Sequence, residues 1–144
     1  MNHEDKVRYR NDGDDFHIIW TARRALKLLD PVSNLVGVAI EGISGNENKD
    51  KVIRGGILGI DTALYYGSEE LEIAEKIEYC QLKYSTTSPN KAWSAQEIAE
   101  VIEYFGERYL ELIEEFDKKT IHEKVRFQFI TNSPISTNII TAFC

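Results

Sequence analysis

Two periods of apolar spacing run through this chain, and the changes between them mark its elements. From Asp14 to about Leu29 the spacing is helical: Phe16, Ile19 and Trp20 form one stripe, which Ile18, Ala22, Ala25, Leu26 and Leu29 broaden. This predicts a helix buried on most of its circumference. Asp12-Gly13-Asp14-Asp15 offers caps at its start. Asp30-Pro31 stops it, because the residue before a proline is pushed out of helical geometry. Residues 1–13 are polar and charged and read as a loosely ordered lead-in.

Strand-like runs follow. Val36 to Ile43 reads as a first strand interrupted by Glu41. Val52 to Tyr66 reads as a second, bent near Gly55-Gly56, with Asp61 in its later half. Lys76 to Ser85 reads as a third, and its Ile, Tyr, Cys and Leu suit a central position. Ser94-Ala95-Gln96-Glu97 is then a capping box opening the strongest helix. Ile98, Val101, Ile102, Phe105, Tyr109, Leu112, Ile113 and Phe116 keep helical spacing there, while Glu100, Glu103, Glu107, Glu111, Glu114 and Glu115 face solvent. Lys118 and Lys119 suit the negative end of its dipole. Val125 to Thr131 reads as a fourth strand ended by Asn132-Ser133-Pro134, and residues 137–144 begin a truncated apolar element.

The order α-β-β-β-α-β predicts one α/β domain over residues 14–136, a mixed sheet of about four strands flanked by helices. Trp20 is expected in the core, Trp93 as a hydrophobic staple, and Tyr65, Tyr66 and Tyr84 in core or rim packing, with stacking on nucleic acid bases as the alternative. His3 and His122 are expected to be solvated.

Composition narrows the class only a little. A chain of 144 residues fits one domain, and 42% hydrophobic with 28% charged residues is ordinary for a globular protein. No apolar run approaches the ~18 residues of a membrane span, and the N-terminus is too polar for a secretory signal. Two cysteines, Cys80 and Cys144, make no disulfide framework and point to reduced thiols in a cytoplasm. A net charge of -7 argues against coating nucleic acid nonspecifically. It leaves a nuclease open, since metal-holding carboxylates are acidic by necessity.

The candidate chemistry lies where polar groups interrupt apolar strands. Period-two geometry puts Gln81 and Lys83 on one face of the third strand, with Asp61 expected on its neighbour. Hydrolysing a phosphodiester needs a divalent metal, a water and a positive group facing the developing charge. A hard cation such as Mg2+, for which Mn2+ substitutes, takes oxygen ligands. Asp61 supplies a carboxylate, Gln81 its amide oxygen and Leu82 its backbone carbonyl, while Lys83 positions the water and stabilises charge. Glutamine brings no charge, so a further carboxylate helps. Glu41 is the first candidate, with Asp15 or His17 behind it. Arg23, Arg24 and Lys27, or Lys83, Ser85, Thr86, Thr87 and Lys91, are positioned to hold phosphate backbone.

Ile40-Glu41-Gly42, Tyr79-Cys80-Gln81-Leu82-Lys83-Tyr84-Ser85 and Phe129-Ile130-Thr131-Asn132-Ser133-Pro134 carry a resemblance. Over roughly residues 14 to 136 the chain resembles the PD-(D/E)xK restriction-endonuclease-like superfamily, in its variant where the last acid is Gln. More narrowly, it is similar to the double-stranded DNA endonuclease effector domains of cyclic-nucleotide antiphage systems and of antiviral STAND-type NTPases. The resemblance implies Asp61 and Gln81 as metal ligands, Lys83 as the catalytic lysine and Glu41 as an acid at the end of the first strand. The connection from Glu41 to Asp61 is longer than that family's acidic hairpin. Also implied are Mg2+, double-stranded DNA as substrate, a sensor or NTPase region as partner, and homo-oligomerisation when active. The alternatives are a catalytically inert nucleic-acid-binding or oligomerisation module of the same fold, and a protein-interaction domain using the acidic helix.

Overall fold

Lys76–Lys83 carries Ile77 and Tyr79 on one face and Cys80 and Leu82 on the other, so it has to be covered on both faces. The computed structural model, which describes residues 3–49, 54–86 and 88–137, places it inside a four-stranded mixed sheet. The elements are α1 (His3–Ala25) with a 3-10 turn at Leu26–Leu29, β1 (Leu35–Ile40), α2 (Gly55–Leu58), β2 (Thr62–Tyr66), β3 (Lys76–Lys83), α3 (Ala99–Glu115), α4 (Lys118–Lys124) and β4 (Val125–Thr131). Spatial order follows chain order. β1–β2 and β2–β3 are antiparallel, and β4 returns through α3 and α4 to lie parallel to β3. The α/β architecture with helices flanking a mixed sheet is therefore as the sequence predicts.

Alternation along the strands divides the core in two. On one face Ile60, Ala63, Tyr65, Ile77 and Tyr79 pack with Leu112 of α3 and Ile121 of α4. On the other, Leu35, Leu64, Cys80 and Leu82 pack under Phe16 and Trp20 of α1. Each fully buried aliphatic or aromatic side chain contributes roughly 1.5–3 kcal/mol, and Leu64, Tyr65, Ile77, Tyr79 and Leu82 put β2 and β3 at the centre of the core.

Several boundaries differ from the sequence reading, each for a physical reason. Helix α1 begins at His3, so the described part of the polar lead-in is helical; Glu4 and Asp5 in its first turn favour the dipole. Nor is the helix buried most of the way round. Ile18, Ile19, Leu26 and Leu29 are exposed, and Thr21 alone in the Asp14–Leu29 stretch is fully buried. The expected long second strand divides: Gly55–Leu58 forms a helical turn and β2 starts only at Thr62, after Asp61. Residues 50–53 of that segment lie outside the description. Gly56 explains the turn, since a Cβ there would collide with the Arg108 backbone of α3. The Ser94–Glu97 box forms, Ser94 N donating to Glu97 Oε2 at 2.9 Å and Glu97 N to Ser94 Oγ at 3.3 Å, but it closes a turn ahead of α3, whose N-cap Ile98 makes no side-chain cap bond. Lys118 and Lys119 do not end α3; they open α4, capped by Asp117. His122 is not merely solvated, because its Nε2 pairs with the Tyr109 hydroxyl at 3.0 Å. Trp93 sits on β4 instead of stapling the helix, donating to Thr131 Oγ1 at 2.8 Å and meeting Phe129 edge-on.

A buried ionic knot joins the loop after β1 to both the sheet and α3. Glu47 accepts from the Tyr65 and Tyr79 hydroxyls and from Arg108 Nη2 at 2.6 Å. Arg108 also reaches Glu111 at 3.1 Å, and Glu111 accepts the Gly56 amide at 2.9 Å. Glu111 thus faces inward, against the expectation of a solvent face. Desolvation raises both tyrosine pKa values, with the Glu47 charge adding to it. The phenols therefore stay neutral donors. The knot ties down the segment that carries Glu41 at one end and α2 at the other.

Candidate active site

Regular β2–β3 pairing ends at Thr62 opposite Cys80, which frees the backbone of Leu82. Two side chains take it up. Asp61 Oδ2 accepts the Leu82 amide at 2.7 Å, and His17 Nε2, from α1, lies 2.9 Å from the Leu82 carbonyl. Asp61 itself is held by the sheet: its amide donates to Cys80 O at 2.9 Å, and its carbonyl accepts from Glu41 N at 2.7 Å. The middle residue of Gln81-Leu82-Lys83 is thereby fixed from both sides. Thr21 Oγ1 and Thr62 Oγ1, 2.8 Å apart, dock α1 beside it.

Burial raises the Asp61 pKa; the Leu82 hydrogen bond, His17 and Lys83 pull the other way, and the Glu41 charge adds to the rise. These electrostatic partners place Lys83 and Glu41 in the field of Asp61. Glu41 adopts φ 55°, followed by Gly42 at φ 140°. A left-handed backbone at a non-glycine residue costs roughly 1–2 kcal/mol, and such strain concentrates at functional positions.

Asp61, Glu41, His17 and Asp14 line one end of a cavity of about 580 Å³ between α1 and β1. Ile18, Ala22, Val38 and Ile40 are among the residues that form the rest of its wall. Gln81 is not among the lining residues. Alternation puts its side chain, like that of Lys83, on the Tyr79 face, opposite Phe129 of β4. There Gln81 Oε1 is buried without a hydrogen-bond partner among the described residues. The structure thus gathers Asp61, the Leu82 backbone and His17 directly, adds Lys83 and Glu41 through charge, and leaves the Gln81 amide apart.

Asp15 belongs elsewhere, beside Phe16, Trp20 and Tyr84 in a separate pocket. Among the phosphate-holding candidates, Arg24 lies over Trp20 at 5.1 Å, Lys91 pairs with Glu97 at 3.0 Å and Ser85 is bonded to Asn132. Thr87 and Cys144 lie outside the described residues. Burial pushes the Cys80 thiol up to about 12, so it is a core group and not a nucleophile.

For a hard cation the donors are right in kind. An orphaned buried amide oxygen, a desolvated carboxylate and a second carboxylate nearby are the groups such an ion takes. The Leu82 carbonyl keeps a second lone pair beside its bond to His17. Among the described residues, however, no three His, Cys, Asp or Glu side chains are arranged to hold a metal.

Sequence reasoning missed the Glu47–Arg108 knot. Arg108 had a signal: it continues the Val101, Phe105 and Leu112 stripe, where a charge requires a partner. Glu47, in a loop, had none. No helix among the described residues is long and apolar enough to cross a membrane. Compared with known proteins, the chain matches no family model and no curated protein.

Proposed function

We propose that this chain is a metal-dependent endonuclease domain acting on double-stranded DNA, of the PD-(D/E)xK kind that its motifs resemble. One observation carries the reading: the Asp61 carboxylate is bonded to the amide of the residue between Gln81 and Lys83. An acid at the start of one strand, held against an amide-x-lysine strand, is what such a nuclease requires. The four-stranded mixed sheet flanked by helices agrees with it, although α2 separates β1 from β2.

Asp61 and Glu41, at one end of the cavity, would hold Mg2+ together with the Leu82 carbonyl; Gln81, the other expected ligand, would have to turn its amide toward Asp61 to join them. A bound divalent cation supplies Lewis acidity and an acidified water. The chain's own groups do the rest. Lys83 orients the attacking water and faces the charge that develops on the phosphate. His17 and Asp61 fix the Leu82 backbone, and so the direction in which Gln81 and Lys83 leave the strand. In this reading the protein works in a cytoplasm, and a sensor or NTPase region and homo-oligomerisation control it.

A second reading, an inert nucleic-acid-binding or oligomerisation module of the same fold, draws on two observations. Glutamine stands where an acid is usual, and no three-ligand group is assembled. Manganese titration separates the two readings. A nuclease binds the ion and loses it in Asp61→Ala, while an inert module binds it no more tightly than that variant.

A further inference from the structure

We infer that the free edge of β1, with the groove beside it, docks an extended apolar segment led by a basic residue and supplied by a partner chain. Among the described residues β1 is the terminal strand of the sheet, and its sequence Leu-Val-Gly-Val-Ala-Ile contains no charge and no proline. Unpaired strand edges in free-standing proteins are normally guarded by lysine, proline or a covering loop. The opposite edge follows that rule, because β4 carries exposed Arg126. β1 does not. Val36 is 50% exposed and Ile40 70%, next to Ile18 at 66%. Contiguous exposed apolar surface of this kind marks a contact site.

The groove between α1 and β1 gives the occupant its character. Ile18, Ala22, Val38 and Ile40 form an apolar wall that receives alternate side chains of an added strand. At the Ile40 end stand the carboxylates of Asp14, Glu41 and Asp61 beside His17, with no lysine or arginine in the lining among the described residues. In the metal-free protein an apolar strand running antiparallel to β1 therefore meets acid at its N-terminal end, and a basic residue there is the complement. A second copy of this chain fits poorly. Its own β1 has no basic residue, and each copy carries a net charge of -7.

The test uses the whole chain and the capped peptide acetyl-Lys-Val-Thr-Val-Thr-Val-amide, followed by amide NMR shifts without added metal. The Lys-led peptide is expected to shift the Val36–Ile40 amides in a saturable way. A Glu-led twin should bind at least about tenfold more weakly, and Glu41→Gln should narrow that gap. Val38→Lys, with core amides such as Ile77 and Leu112 checked for an intact fold, should abolish binding. Equal binding of the twins, shifts centred away from β1, no saturable binding, or self-association of the chain through β1 would each overturn the inference. The outcome is independent of DNA cleavage, so its failure leaves the nuclease reading standing.

Discussion

Asp61 Oδ2 accepts the amide of Leu82 at 2.7 Å, so a carboxylate from the residue just before β2 stands in for a ladder bond at the end of β3. Such an arrangement needs the carboxylate shape more than its charge. Asp61→Asn keeps an acceptor for the Leu82 amide and removes a desolvated anion. Because its folded pKa is raised, Asp61 contributes stability that is present below the unfolded pKa and lost as pH rises through the folded one. The asparagine variant is therefore expected to melt higher than wild type at pH 7, with the advantage shrinking toward pH 4. Thermal melts across that range check it, and a lower melting temperature at pH 7 would contradict it.

His17 holds the carbonyl of the same residue. His17→Ala leaves that carbonyl without its side-chain partner and should cost about 1 kcal/mol in urea unfolding. If His17 sets the strand's direction, its removal should also disturb the amide shifts of Gln81 and Lys83. A loss of stability without those shifts would confine His17 to docking α1.

Arg108 and Glu47 are each less than a tenth exposed. Arg108→Met leaves the Glu47 carboxylate buried without its cation and should cost ~3–5 kcal/mol. Glu47→Gln combined with Arg108→Met should cost less than Arg108→Met alone, since a neutral amide needs no counterion. A double-mutant cycle by denaturant unfolding reads the coupling directly.

Gly56 lies against the Arg108 backbone, where a Cβ has no room. Gly56→Ala should destabilise by roughly 1–3 kcal/mol by pushing α2 off α3. Gly45→Ala, with open space around its Cβ position, is the control expected to change little.

What was readable beforehand follows the physics of each element. β3, β4 and the capping box were legible because their signals are local: a dense apolar run, a turn cluster, a Ser and Glu three apart. The division of the second strand was not, since it arises from α2 packing through Gly56 onto a helix some fifty positions later. Exposed Ile18 and Leu29 show the same limit, for helical apolar spacing says which residues can be buried and not whether anything covers them. At the site, Asp61, Leu82 and Lys83 were named from strand periodicity. Asp61 meeting the backbone of the strand, instead of the Gln81 side chain, depends on where β2–β3 pairing stops, and nothing local encodes that.

The most direct measurement is cleavage of supercoiled plasmid in Mg2+ by wild type and by Lys83→Ala, with DNA binding and melting temperature measured on the same samples. The proposed chemistry predicts that wild type nicks and linearises the plasmid and that chelation stops it. It also predicts that Lys83→Ala cuts roughly 10²–10³-fold more slowly while binding and melting as before. Cleavage unchanged in Lys83→Ala, or no metal-dependent cleavage by wild type in any assembly state, would contradict it.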